Sequence, residues 1–374
     1  MVAPGPAVFG YGVGRGRGGG STSEYTEGNM SEGPAPGKEE PVLSVVIPTL
    51  GRESLLETLE SLRALAEFPR LEIIVCGRIR DEDVLRRVAE LCAEHENLIH
   101  LPVEFETGDS SRKKNAGAEK ARASLVAFLD DDVIVSRQWV EKIVSPFAED
   151  DVGLVSGPGL IPPDTRGFAR LAGMTLQSLA AGYVAGRYSG GRGEPRRIRW
   201  SQIIGCNMVY RAAVLREIGG FDPRFWPGEE MIAAYRTQQK YRIVFHPEAV
   251  VYHRPRGTVR GFWRQMWGYG ATRIRLIRGG APVEWSTLFP MGWVASLAVL
   301  IPAALVSRLA ACFLALECIL YLTGDVAVTA IKVVQTRCPA NVGIFLTVPL
   351  MHLAYGLAEW CEFFFPNRDL SRRV

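Results

Sequence analysis

No CxxC pair occurs among the seven cysteines of this 374-residue chain (Cys76, Cys92, Cys206, Cys312, Cys318, Cys338 and Cys361). That argues against a zinc site and a disulfide framework, and fits a reducing compartment for the soluble part. Large aliphatic residues are almost missing from residues 1–40, which are rich in Gly, Ser, Pro and Glu. Such a segment cannot bury enough apolar surface to offset its ordering entropy, so it reads as a disordered tail. Without an apolar run after its start it is not a signal peptide. Its "GYGVGRGRGGGST" lacks the preceding strand, the following helix and the Lys before Ser/Thr that a phosphate loop needs. Net charge is small too: 43 Lys and Arg against 40 Asp and Glu leave +3, a balance that says nothing about nucleic acid.

What is present begins at Leu43. "LSVVIPTL" and "LEIIVCG" read as buried strands, and "SLVAFLDDD" as a third. Between them lie "ESLLETLESLRAL", "EDVLRRVAELCAEH" and "SSRKKNAGAEKARA", with helical patterning. Strands that are apolar throughout, alternating with helices, predict an α/β fold with a mostly parallel sheet covered on both faces. Ligands bind beyond the carboxyl ends of such strands, where Asp130, Asp131 and Asp132 stand.

Side chains alternate across a strand, so Asp130 and Asp132 point one way and Asp131 the other. Two converging carboxylates raise each other's pKa unless a cation lies between them. A hard divalent ion, with phosphate oxygens in its remaining positions, meets that need; a solvated acidic turn is the other reading of the triplet alone. In "GGFDPRFWPGEEMIAAYR", Glu229 and Glu230 open a helix, where acids complement the dipole in any case. Phe225 and Trp226 beside them suit sugar stacking, and a carboxylate near a metal can deprotonate an attacking hydroxyl.

The order "SVVIPTLGR", "KKNAG", "FLDDDV", "GCNMVYRAAVLREIGGFD", "GEEMIAAYR", "VVYHRP" resembles the family 2 glycosyltransferases of the Rossmann-like GT-A fold, over roughly residues 42–256. The resemblance implies that Asp130 and Asp132 hold Mg²⁺ or Mn²⁺ on a UDP- or GDP-linked sugar, with Asp130 also near the ribose and His253 approaching the metal. It implies donor contacts from Thr49, Arg52, Lys114 and Asn115. Glu230 matches the catalytic base, Glu229 an acceptor-contacting acid, and Asn207 part of the acceptor wall, which Trp226 extends. Two departures stand out. The base is Glu where the family usually has Asp, and Cys76 and Gly77 replace acids that read the nucleobase.

Residues Arg254 to Arg278 hold seven arginines and no acid, interleaved with Phe262, Trp263, Trp267 and Tyr269. That mix suits an anionic headgroup layer or a nucleic acid. The uncharged stretch Trp285–Ser307 next to it, 23 residues and bilayer-length, decides for the membrane. Leu309–Ile331, with Glu317 and Asp325, and Cys338–Ala358 bring the expected spans to two or three; structural polar pairing is the preferred reading of the two acids. The organisation expected is a tail (1–40), a GT-A domain (41–256), a basic aromatic interfacial helix (257–284), a transmembrane region (285–365) and a terminal tail (366–374). Arginines flanking the first span place the catalytic domain of a multi-pass cell-membrane protein on the cytoplasmic side. The resulting expectation is inverting transfer of a single sugar to a lipid-linked or glycan acceptor. A processive polysaccharide synthase is the alternative, although "QMWGYG" lacks the QxxRW of such enzymes, and a non-catalytic membrane scaffold is the other.

Overall fold

The β-branched run Leu43–Pro48 forms a strand, β1, inside an eight-stranded sheet. The computed structural model describes residues 40–105 and 109–366. The Gly-rich tail before Glu40 and the terminal tail after Pro366 lie outside them. The chain continues through α1 (Ser54–Arg63), β2 (Leu71–Cys76), α2 (Glu82–Glu94), β3 (Leu98–Leu101), α3 (Asp109–Lys120), β4 (Leu125–Leu129) and β5 (Val133–Val135). Next come α4 (Trp139–Val144), β6 (Val152–Ser156), β7 (Gly159–Leu160), α5 (Gly167–Leu176), β8 (Arg196–Ile198), β9 (Asn207–Arg211) and α6 (Ala212–Glu217). The series closes with α7 (Glu229–Gln238), β10 (Arg242–Phe245), β11 (Val251–His253), α8 (Val259–Arg278), α9 (Phe289–Ala304), α10 (Arg308–Thr336) and α11 (Ile344–Phe364).

The sheet runs β3-β2-β1-β4-β9-β6-β10-β8. Its first four strands are parallel, β9 is antiparallel to both neighbours, and β8 is an antiparallel edge. Alternation along β1 sends Val45 and Ile47 into one core layer and Val46 into the other. The first layer holds Leu55, Leu59 and Leu62 of α1 with Val84, Val88 and Leu91 of α2. The second holds Leu215, Phe221, Met231 and Ile232, so helices cover both faces as an all-apolar strand requires. The expected mostly parallel α/β architecture is what forms. A three-stranded sheet, β5-β11-β7, sits at the end of β4. In it β11 runs antiparallel to β5, with His253 opposite Val133.

Three C-terminal helical segments are long and apolar enough to cross a membrane: Trp285–Ala304, Arg308–Thr336 and Pro339–Phe364. Much of their apolar surface points outward, as at Val299, Leu309, Phe313 and Val334, which suits hydrocarbon rather than water. A Cβ at Gly356 would lie 2.2 Å from Pro290 O, and one at Gly270 2.3 Å from Tyr355 O. Small residues there let α11 close on both α9 and α8. The basic helix α8 is correspondingly less interfacial than its composition suggests. Arg260 and Arg264 are exposed, but Arg273 is buried. Arg275 donates to Trp226 O, and Arg278 donates to the carbonyls of Glu362 and Phe363. Glu317 accepts a hydrogen bond from Ser296 of α9, whereas neither carboxyl oxygen of Asp325 has a hydrogen-bond partner among the described residues. The expected pairing of polar groups therefore reaches one acid and not the other.

Candidate active site

Strand β4 ends at Leu129, and the chain turns through Asp130, Asp131 and Asp132 before β5 begins. The β5–β11 register brings His253 to Asp132, with Nε2 3.0 Å from Oδ1. One ligand atom each from Asp130, Asp132 and His253 falls within 4.8 Å of the others. Asp131 turns away and is buried, accepting Thr49 Oγ1 at 2.6 Å and Leu50 N at 3.3 Å. It pins the loop after β1.

Burial pushes the Asp130 carboxyl above its ordinary range; Lys114 and His253 pull it back, while Asp132 and Asp131 add to the rise. For Asp132 burial pushes up as well, but the hydrogen bond and charge of His253, with Arg256 and Arg52, hold it below the usual carboxylate value. His253 is lowered by burial and raised more strongly by Asp132 and Asp130, so it lies above an ordinary histidine. Two carboxylate oxygens and one imidazole nitrogen converging in this way fit a divalent cation of the Mg²⁺ or Mn²⁺ type.

The second acidic pair opens α7. Glu229 is 2% exposed and accepts Lys114 Nζ at 2.9 Å, Ser110 Oγ at 3.4 Å and Gly228 N at 3.1 Å. Among the described residues Glu230 has no ion-pair partner at such a distance. Burial, then the charge of Glu229, pushes its carboxyl up to about 7, against a smaller pull from Lys114. Lys114 is itself buried, yet Glu229, Glu230 and Asp130 together hold its ammonium well above the ordinary lysine value. One buried cation thus serves both acidic clusters, which α3 and the parallel strands bring to the same end of the sheet.

Glu230 lines a cavity of 370 Å³, with Gly205, Arg187, Tyr188, Tyr269 and Arg273 also in its wall. A Cβ at Gly205 would stand 3.2 Å from Glu230 Cγ, so a larger residue there presses on the carboxylate. The far wall comes from the membrane-length helices: Phe289 and Pro290 of α9, Met351 and Tyr355 of α11.

Other residues expected at the site are placed differently. Asn115 spends its side chain on Phe221, donating to its carbonyl at 2.8 Å and accepting its N–H at 2.9 Å. Asn207 is fully buried, bonded to Pro158 O, Ala249 O and Trp139 Nε1, and the cavity wall includes Gly205 in its place. Its side chain is an internal brace. The Thr49 hydroxyl is committed to Asp131, so this loop offers a ligand mainly its backbone and the exposed Arg52. Trp226 is half-buried, and the wall is formed by Pro227 and Gly228 after it. Arg187, Arg273 and Tyr269 were not singled out by sequence as cavity residues. A lone arginine in the otherwise apolar "LAAGYVAGRY" was the available signal for Arg187.

With this geometry in place, comparison with known proteins is informative. The chain is 26% identical over 203 residues to the O-antigen biosynthesis protein RfbC of Myxococcus xanthus, spanning 50% of this chain and 15% of that protein. It is 26% identical over 226 residues to the glucosyl-dolichyl phosphate glucuronosyltransferase of Haloferax volcanii, covering 57% and 69% of the two chains. The match thus spans a small part of the first relative and about two thirds of the second. A mannosyltransferase from Pyrobaculum calidifontis, solved in complex with GDP-mannose and Mn²⁺, shares the fold with a TM-score of 0.61, at 19% identity, over 87% of this chain and 88% of that one. That likeness makes the fold GT-A. The profile of glycosyltransferase-like family 2 matches residues 41–270, well over half the chain, and the protein belongs to that family.

Proposed function

We propose that this protein transfers a single sugar, with inversion, from a UDP- or GDP-linked donor to a hydroxyl of a lipid-linked acceptor. The observation that carries this reading is the position of Glu230: its carboxyl, pushed up to about 7, lines a cavity whose opposite wall belongs to membrane-length helices. A base with a pKa near the operating pH combines an adequate ionised fraction with a strong pull on the proton. Glu230 takes the proton of the acceptor hydroxyl as its oxygen attacks the anomeric carbon. The new C–O bond forms as the bond from that carbon to the diphosphate oxygen breaks, and the nucleoside diphosphate leaves from the opposite face. Asp130, Asp132 and His253 would hold Mg²⁺ or Mn²⁺, which when bound neutralises charge on the departing diphosphate. Lys114 and Glu229 fix the floor between donor and base as a buried ion pair, and Asp131 fixes the loop of Thr49 and Arg52.

The GDP-mannose and Mn²⁺ of the Pyrobaculum neighbour support the donor and metal classes, and the glucosyl-dolichyl phosphate in the Haloferax relative's name supports a lipid-linked acceptor. Exposed arginines at the start of α8 support a cytoplasmic catalytic side in a cell membrane. The test is a donor screen on the detergent-solubilised full chain: UDP- and GDP-sugars, with and without Mn²⁺, and a membrane-lipid extract as acceptor. One added sugar, dependent on the cation and giving the inverted anomer, is expected. A ladder of products would replace this reading with a processive synthase. No donor binding at all would replace it with a scaffold.

A further inference from the structure

The cavity at Glu230 does not end at the membrane-side helices. It shares Leu179, Ala180, Phe289 and His352 with a second space, a groove of 1190 Å³ between α9 and α10. Trp293, Leu300, Phe313 and Leu316 make its wall apolar, and Phe313 and Leu316 are themselves half exposed on the outer surface. Two glycines line it, Gly292 and Gly324, and a Cβ at either would meet nothing within 4 Å. Helix glycines usually serve close packing; here they leave room.

The Glu230 cavity also holds Arg187, which is 9% exposed. Nη2 donates to Ser201 O and lies 3.8 Å from Met231 Sδ, while Nε has no hydrogen-bond partner among the described residues. Among the described residues no carboxylate lies within ion-pair distance of it, Glu230 included, although its charge is felt there. A buried cation without a counter-ion is strongly unfavourable, and a guanidinium fork is the side chain best shaped for phosphate. The groove itself suits no anion, because Glu317 and Asp325 are in its wall.

We infer that Arg187 is the anion subsite for the acceptor: it holds the phosphate of a lipid-linked sugar whose hydroxyl reaches Glu230 and whose hydrocarbon tail leaves through the groove between α9 and α10. This rests on the transferase reading above. Base and arginine line one cavity and the groove adjoins it, so hydroxyl, phosphate and tail each meet a wall of matching chemistry.

The test uses the full chain in lipid nanodiscs and reads binding before turnover. The probes are a C55 prenyl phosphate, the matching C55 prenol, a C15 prenyl phosphate and inorganic phosphate. C55 prenyl phosphate should bind at least tenfold tighter than the prenol. Arg187→Gln should erase that difference and Arg187→Lys retain part of it, with the Kd for nucleotide-sugar unchanged in both; that donor affinity also reports an intact fold. Gly292→Phe with Gly324→Phe should weaken C55 prenyl phosphate at least tenfold and leave the C15 compound unaffected. Equal binding of phosphate and prenol overturns the subsite. Loss of donor affinity in Arg187→Gln assigns the arginine to the donor diphosphate instead. Inorganic phosphate competing as well as the lipid removes the tail, and equal weakening of both chain lengths removes the groove. Absence of donor binding by the unaltered protein, with phosphate discrimination intact, would sink the transferase reading while leaving the subsite standing.

Discussion

Two runs of adjacent acids, Asp130–Asp132 and Glu229–Glu230, look alike in sequence and are divided alike by the fold. In each, one carboxylate is buried and bonded. Thr49 and the Leu50 amide hold Asp131, while Lys114, Ser110 and the Gly228 amide hold Glu229. The neighbours are left to the cleft. The two sites differ in how a half-buried member is treated. Asp132 has His253 and is held below its ordinary pKa, whereas burial and the charge of Glu229 outweigh the pulls of Lys114 and Arg187 on Glu230, which rises to about 7. One arrangement suits an acid that must stay ionised, the other an acid that must exchange a proton.

Lys114→Met is the severest way to break this comparison, because it leaves Glu229 charged, buried and unpaired. Stability should fall by about 3–5 kcal/mol, read from denaturant unfolding in detergent. Its counterpart at the other site, Asp131→Asn, should cost only about 1–3 kcal/mol, since Thr49 can still bond to an amide. Comparable losses would mean that the two buried acids are not equivalent supports.

Next in size is Asp132→Asn, for which turnover should drop about a thousandfold and Mn²⁺-dependent donor binding should weaken. Glu230→Gln should lower kcat at least about a hundredfold and leave donor Kd unchanged. Wild-type transfer by either variant would reassign its role.

Protonation sharpens the contrast further. With Glu230 near 7, about a tenth of the protein is ionised there at pH 6, so kcat/KM should rise with pH through 7 and level off near pH 8. Stability moves the opposite way. The folded-state value lies above the ordinary 4.5, so the neutral form's stabilising contribution is complete below about 4.5 and is lost as pH rises through about 7. Glu230→Gln should therefore melt higher than the parent at pH 8 and alike below pH 4.5. The smallest effect expected is from Glu229→Gln. Removing the neighbouring charge and freeing Lys114 should move the alkaline rise in kcat/KM down by about one pH unit. An unmoved profile would place the titrating base elsewhere.

The separation of Asp131 from Asp130 and Asp132 was legible because alternation along a strand is local. So were β1, β2 and β4, whose apolar runs need no knowledge of partners. The Lys114–Glu229 pair joins residues 115 positions apart, and nothing near either residue marks it. Strand β3 escaped notice because "LIHL" is only four residues long and half-exposed along its length. Asn115 and Asn207 sit inside recognisable motifs yet brace the backbone, because the motif records that an asparagine is needed and not what it bonds. Composition likewise presented the arginines of α8 as one surface, and packing on α11 and the Trp226–Pro227 loop divided them.

That last helix has a practical consequence. Thr272 donates to Pro227 O and Arg275 to Trp226 O, while Gly270 lies against Tyr355 and Arg278 caps the end of α11. The loop ahead of Glu230 is therefore bolted, through one crosspiece, to the last membrane-length helix. A fragment cut after residue 256 would keep both acidic runs, Asp130–Asp132 and Glu229–Glu230, and lose the clamp on the loop before Glu230. Solubility obtained by such trimming should come with a misaligned Glu230, so preparations for kinetics are better made by exchanging the detergent than by shortening the chain.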